Sequence, residues 1–279
     1  MSEHTKKHYC ISGLPRSGST LLCNILNQNP KFHATSTSGV VTLLLMIRDN
    51  WESITEFKAT KTDLEKFRVM KSVLPSFYKD IDADVIFDKS RGWPAHFEMI
   101  ESLTGEHAKT LVCVRDIRDV LSSFEKIWRK ESASRLIPQE KQFREQFQTV
   151  EGRCEVWLKA GQPIGKAYNN IKDALRRGYG DRMHFVFFEK LTTDPESVMR
   201  DIYAFLDEEY FEHDFNTIKQ TTHEDDRMHG FTDLHTIKEK IEPVASDWQA
   251  ILGSHAEKYD ALNIWYKGEL IPNTHRKQH

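Results

Sequence analysis

Long hydrophobic runs are missing from this sequence. The longest, Val40 to Ile47 interrupted by Thr42, is far too short to span a bilayer, and Met1 to Lys7 is polar with no apolar segment behind it. The expectation is a chain with no membrane span and no signal peptide, resident in the cytoplasm. Cysteine is scarce as well. Cys10, Cys23, Cys113 and Cys154 are scattered without metal-ligand spacing, and the first three fall in apolar strand-like or helix-like segments. Buried, reduced thiols are therefore expected rather than disulfides or a zinc site. His33, His96, His223, His229 and His235 also lack ligand spacing, so no metal is expected. Positive charge is not in excess: the net charge of −3 argues against a nucleic-acid coat but leaves room for a local basic cleft. Repeats and low-complexity tracts are absent. What remains, 39% apolar and 29% charged residues over 279 positions, suits a folded globular protein.

Short apolar, β-prone runs alternate with helical patterns. Strands are expected near 8–13, 31–35, 84–88, 110–115 and 183–188. Helices are expected near 18–28, 62–78, 95–104, 117–131, 140–177 (broken around Gly161-Gln162-Pro163) and 195–207. Such alternation implies an α/β fold with a parallel sheet of about five strands, covered on both faces. Two regions depart from the rhythm: a charged helical insertion at about 48–80, and a His-, Asp- and Glu-rich stretch at 208–245 that reads as an ordered loop or lid. The tail beyond Pro272 is polar.

One motif carries the chemistry. Gly13-Leu14-Pro15-Arg16-Ser17-Gly18-Ser19-Thr20 fits the phosphate-loop frame G-x-x-x-x-G-K-[ST] at Gly13, Gly18 and Thr20, but Ser19 stands where the lysine belongs. That lysine holds the β- and γ-phosphates of a nucleoside triphosphate. Its loss inside an intact glycine frame points to a nucleotide whose reactive group is not a γ-phosphate, with Arg16 supplying the positive charge. The loop follows a β-prone segment and opens a helix, so backbone N–H groups at Gly18 to Thr20 would face an anion at a helix N-terminus. An ordinary strand-to-helix turn is the competing reading.

Farther along, the buried run Thr110 to Val114 ends at Arg115 and a helix follows at once. Ser123 lies eight residues on, about two helical turns away. A guanidinium and a hydroxyl so placed suit a second phosphate; a surface ion pair of Arg115 with Asp116 or Asp119 is the alternative.

These segments resemble the sulfotransferase family. Gly13 to Leu22 is similar to its 5′-phosphosulfate loop, Val114 to Ser123 to its 3′-phosphate motif, and Phe187 to Pro195 to its Y-E-x-L-x-x-x-P segment, with Phe188 in place of the usual tyrosine. The spacing is closest to bacterial members and the tyrosylprotein sulfotransferases. The resemblance implies a P-loop-type three-layer sandwich formed by residues 1–279 as one domain. It also implies 3′-phosphoadenosine 5′-phosphosulfate (PAPS) as donor, the 3′,5′-bisphosphate PAP as product, and no metal. Donor binding then falls to Arg16, Ser17, Gly18, Ser19, Thr20, Arg115 and Ser123. Lys89, in Asp88-Lys89-Ser90-Arg91, resembles the family lysine that contacts the leaving-group oxygen; Lys89 and Arg16 are thus the catalytic candidates. The segment 234–244 resembles the donor-covering loop, but the family's lysine aligns with Glu242, so Lys240 or Lys238 would have to substitute. The acceptor would be a small molecule, carbohydrate or peptide.

The general base is not assigned. Thr37 stands where tyrosylprotein sulfotransferases place a glutamate, and Arg91 where cytosolic members place a histidine. Asp88, His33, His235 and the carboxylates of residues 224–226 remain candidates. Trp51, Trp93 and Phe231 are candidates for an acceptor pocket or for the core. Two rival functions stand beside sulfuryl transfer: a Mg²⁺-dependent kinase or NTPase with Asp88 as its metal-binding aspartate, and a nucleotide-binding homologue without catalysis.

Overall fold

A computed structural model describes residues 6–131, 138–229 and 234–267; Phe231 and the tail beyond Pro272 lie outside them. Five strands form one all-parallel sheet: β1 (Lys7–Gly13), β2 (Phe32–Thr37), β3 (Val85–Lys89), β4 (Thr110–Val114) and β5 (Met183–Phe187). Their order is β2-β3-β1-β4-β5, which is the expected α/β architecture. Each central strand is apolar on both faces because both are covered. Cys10, Ile86, Val112 and Val114 enter one core cluster, whereas Ile11, Phe87, Leu111 and Cys113 enter the other.

Among the described residues twelve α-helices accompany the sheet. They are α1 (Ser19–Leu26), α2 (Val40–Asn50), α3 (Thr55–Ala59), α4 (Asp63–Phe77), α5 (Phe97–Thr104) and α6 (Ile117–Glu131), then α7 (Pro138–Gln142), α8 (Val150–Trp157), α9 (Pro163–Arg176), α10 (Phe188–Thr193), α11 (Pro195–Leu206) and α12 (Trp248–Leu252). Residues from α1, α10 and α11 pack on one face of the sheet; those from α2, α4, α5, α6, α8 and α9 pack on the other. Three layers result. All four cysteines are buried and unpaired. Among the described residues no helix is long and apolar enough to cross a membrane.

Several expectations need correction. The helical segment after β2 begins at Val40 rather than near 48, because Val40, Val41 and Leu44 form a buried stripe at helical spacing. The helical stretch expected over 140–177 breaks before Pro163 as expected, between α8 and α9, but is interrupted once more, between α7 and α8. Gly152 packs so tightly that a Cβ there would lie 2.1 Å from the Gln146 carbonyl oxygen, which fixes the turn entering α8. Lys89 does not follow β3 but ends it, paired with Thr37 of β2 and Ile11 of β1. The 208–245 stretch has little regular structure among its described residues.

One buried ion pair ties α6 to α8. Arg153 donates from Nε to Glu125 Oε2 at 2.8 Å and from Nη2 to Oε1 at 2.7 Å, with its guanidinium over the Trp128 ring. Satisfying both carboxylate oxygens is what makes so buried a charge tolerable.

Candidate active site

The carboxyl ends of β1, β3 and β4 open into one cleft of about 420 Å³, at the point where the strand order reverses. Gly13 closes β1 with φ of 138°, and a Cβ there would lie 2.0 Å from the Cys113 carbonyl oxygen, so only glycine lets the loop leave the sheet beside β4. The loop then turns through Arg16, at φ of 63°, and Gly18, at φ of 86°, into the N-terminus of α1. A non-glycine residue in the left-handed region costs on the order of 1–3 kcal/mol and clusters at functional turns. No side chain caps α1, which leaves its first amides for a ligand.

Ser19, Thr20 and Arg16 line the cleft, but Ser17 does not. Its hydroxyl lies 2.5 Å from Leu14 O and 2.8 Å from Cys113 O, so it braces the loop against β4 and leaves only its amide for a ligand.

Two guanidiniums converge on the loop. Arg16 Nε donates to Ser123 Oγ at 3.2 Å, and its Nη1 donates to the Leu234 carbonyl, so the loop, α6 and the 234–244 segment meet at this side chain. Arg115 stands 4.5 Å over the Phe188 ring, where an aromatic face is all the contact needs; its Nε is buried without a hydrogen-bond partner among the described residues. Asp116 is taken by Arg118, whereas Asp119 accepts from Ser246 Oγ at 2.8 Å and still feels the charge of Arg115. Burial, and then the charge of Arg115, lower the proton affinity of Arg16. Like charges brought together in a half-buried cleft favour an anion between them.

Lys89 Nζ reaches the same place from β3, 3.5 Å from Thr20 Oγ1 and 3.0 Å from Glu224 Oε1. Lys238 and Lys240 are exposed at the rim of the cleft, and Lys238 pairs with Glu242 at 3.4 Å. A second cavity, about 620 Å³, shares Thr37, Ser90, Arg91 and Pro163 with the first.

The proposed bases separate by position. Asp88 is buried, accepts from Tyr78 Oη and from Trp93 Nε1 at 2.7 Å, and has its pKa raised by burial. His33 borders neither cavity. Trp93 is core, and Trp51 stacks on Phe57, so neither lines an acceptor pocket. Glu224 borders neither cavity itself but comes to Thr37, which borders both: its Oε1 accepts from Thr37 N at 2.7 Å and Thr37 Oγ1 at 2.8 Å.

Asn24 explains how. Buried on α1, it accepts from Thr221 N and Thr222 N at 2.5 and 3.2 Å and donates to Thr222 Oγ1 at 2.9 Å. Ser36 Oγ adds a bond to His223 O. Nothing in the local sequence marks Asn24, since an isolated asparagine in an amphipathic helix carries no motif. Beside Glu224, His235 Nδ1 lies 2.5 Å from Asp226 Oδ1 and 3.5 Å from Glu224 Oε2.

The three-layer parallel sheet and its glycine loop define a P-loop-type α/β protein. Residues 10–212 match the profile of the sulfotransferase family, and the chain belongs to that family. A comparison with curated protein sequences finds no match. Among solved structures, the fold is shared with the sulfotransferase domain from the curacin biosynthetic pathway, at TM-score 0.55 and 17% identity over 96% of this chain and 99% of that one. Sulfotransferase STF9 from Mycobacterium avium gives 0.52 and 16% over 96% and 78%. Mouse sulfotransferase SULT7A1 complexed with PAP gives 0.50 and 15% over 98% and 87%.

Proposed function

We propose that this protein transfers a sulfuryl group from PAPS to a hydroxyl or amine of an acceptor. The observation that carries the reading is the pair Arg16 and Arg115: two cations brought to one cleft beside a helix N-terminus, with the Arg115 Nε buried and unpartnered. Such a site suits a ligand with two separated anionic groups. The amides of Gly18 to Thr20 and the hydroxyls of Ser19 and Thr20 would hold the 5′-phosphosulfate, and Arg115 with Ser123 the 3′-phosphate. The PAP bound to the mouse structure of the same fold is consistent with this donor. Lys240 and Lys238 would cover the nucleotide from the rim.

As the sulfuryl group leaves, negative charge grows on the bridging oxygen of the 5′-phosphate. Lys89, held within reach of Thr20, and Arg16 are the cations placed to stabilise it, and preorganised charge of this kind is often the largest contribution to catalysis. The second cavity meets the donor cleft at Thr37, Ser90 and Arg91, next to Lys89, which makes it the approach for the acceptor.

Thermal stabilisation by PAP tests the donor. The reading expects a raised Tm with PAP in the absence of Mg²⁺, and transfer of labelled sulfuryl to some member of a series of phenols, sugars and amines. A preference for Mg²⁺ with ATP or GTP would instead identify a kinase or NTPase. Asp88, the aspartate that rival needs as metal ligand, is engaged by Tyr78 and Trp93.

A further inference from the structure

Sulfuryl transfer to a neutral hydroxyl requires that its proton go somewhere, and Thr37, at the end of β2, offers no carboxylate of its own. The structure brings a carboxylate to that position from elsewhere in the chain. We infer that Glu224 is the general base of this enzyme, its carboxylate delivered to Thr37 by the 221–224 segment; the inference rests on the donor reading above.

Three observations carry it. First, the carboxylate is anchored rather than loosely placed. Thr37 grips Oε1 with both its amide and its hydroxyl, and the segment leading to Glu224 is fastened to α1 by buried Asn24 and to β2 by Ser36. Second, it is held beside the place where donor and acceptor would meet: Glu224 itself lines neither cavity, but the residue that grips it lines both. Thr37 lies at the junction of the two cavities, and Lys89 Nζ touches both Glu224 and, on the phosphate loop, Thr20. Third, Oε2 is not used by Thr37 or Lys89; its nearest partner among the described residues is His235 Nδ1 at 3.5 Å. Oε2 is the atom placed to receive a proton.

The step balances without a further reactant. The acceptor oxygen forms a bond to sulfur while its proton passes to Glu224 Oε2. The bond from sulfur to the bridging oxygen breaks, and its electron pair stays on the 5′-phosphate, giving PAP. Solvent then removes the proton from Glu224. Lys89 serves both halves. Burial pushes the Glu224 carboxyl up, but the Lys89 charge and the Thr37 bonds outweigh it and hold the carboxyl at about 2 without donor. When Lys89 turns toward the charge growing on the leaving oxygen, that restraint weakens and burial makes the carboxylate a stronger base. The base is thereby activated as the leaving group departs.

The test uses the full chain, PAPS, and the best acceptor from the series above. Glu224→Gln is expected to lower kcat about 10²- to 10⁴-fold, the ordinary contribution of a general base. PAP affinity should be unchanged. Glu224→Ala should regain part of its rate on addition of formate, which a merely structural role would not produce. Three results would overturn the inference: Glu224→Gln turning over near the wild-type rate, a loss appearing in PAP affinity rather than kcat, or no revival by formate. Loss of turnover in His235→Asn but not in Glu224→Gln would also defeat it, assigning the base to His235. A wild-type chain that fails to bind PAP refutes the donor reading itself, a distinct outcome.

Discussion

Replacing Arg115 with methionine isolates one end of the donor. Methionine keeps an apolar stem against Phe188, whose ring now faces the guanidinium at 4.5 Å, so the replacement removes charge while retaining packing. The unliganded fold loses the cation–π contact, about 0.5–2 kcal/mol, and the attraction of the guanidinium for Asp119 and Asp247. In the complex, the guanidinium, its Nε now partnerless, would gain charge-assisted hydrogen bonds to a 3′-phosphate. A hydrogen bond to a charged group contributes about 1.5–3 kcal/mol, which is roughly 10- to 150-fold in affinity. Calorimetric titration with PAP and with adenosine 5′-phosphate, which lacks the 3′-phosphate, closes a double cycle. Wild type should prefer PAP by about that 10- to 150-fold factor. Arg115→Met should lose most of the preference, through weaker PAP binding, with adenosine 5′-phosphate bound as before. Equal weakening of both ligands would mean that Arg115 acts through the fold, and an unchanged preference would mean that it does not meet the 3′-phosphate at all.

Other perturbations follow from the same geometry. Lys89→Ala should lower kcat by about 10²–10³ while PAP affinity holds, measured by steady-state kinetics and titration; an effect confined to affinity would contradict its role. Gly13→Ala should destabilise the fold by more than about 2 kcal/mol in urea unfolding, because the new methyl would meet the Cys113 carbonyl at 2.0 Å and the φ of 138° is strained for alanine. The Glu224 carboxyl lies at about 2, below its ordinary 4.5, so its contribution to stability is present above pH 4.5 and is lost as pH falls toward 2. The stability difference between wild type and Glu224→Gln should therefore stay level near neutrality and narrow below pH 4.5; a difference that widened on acidification would reverse the sign of the argument.

What the sequence by itself determined was whatever a short contiguous stretch encodes. The five parallel strands were legible because burial on both faces demands uninterrupted apolar runs such as Thr110 to Val114. Equally legible was the phosphate loop, whose glycines at 13 and 18 answer local backbone requirements that no other residue meets as easily. The α2 helix was missed because its apolar run continues past the buried stripe: Leu43 and Met46 remain exposed, which blurs the periodicity. Tertiary structure alone decided the rest. Only folding turned the Ser17 hydroxyl inward, set Arg115 against the aromatic face of Phe188, and carried Glu224 across 135 positions to Lys89. A carboxylate is defined as a base by the proton it can reach, and that distance is set by the docking of distant segments, which no local pattern records.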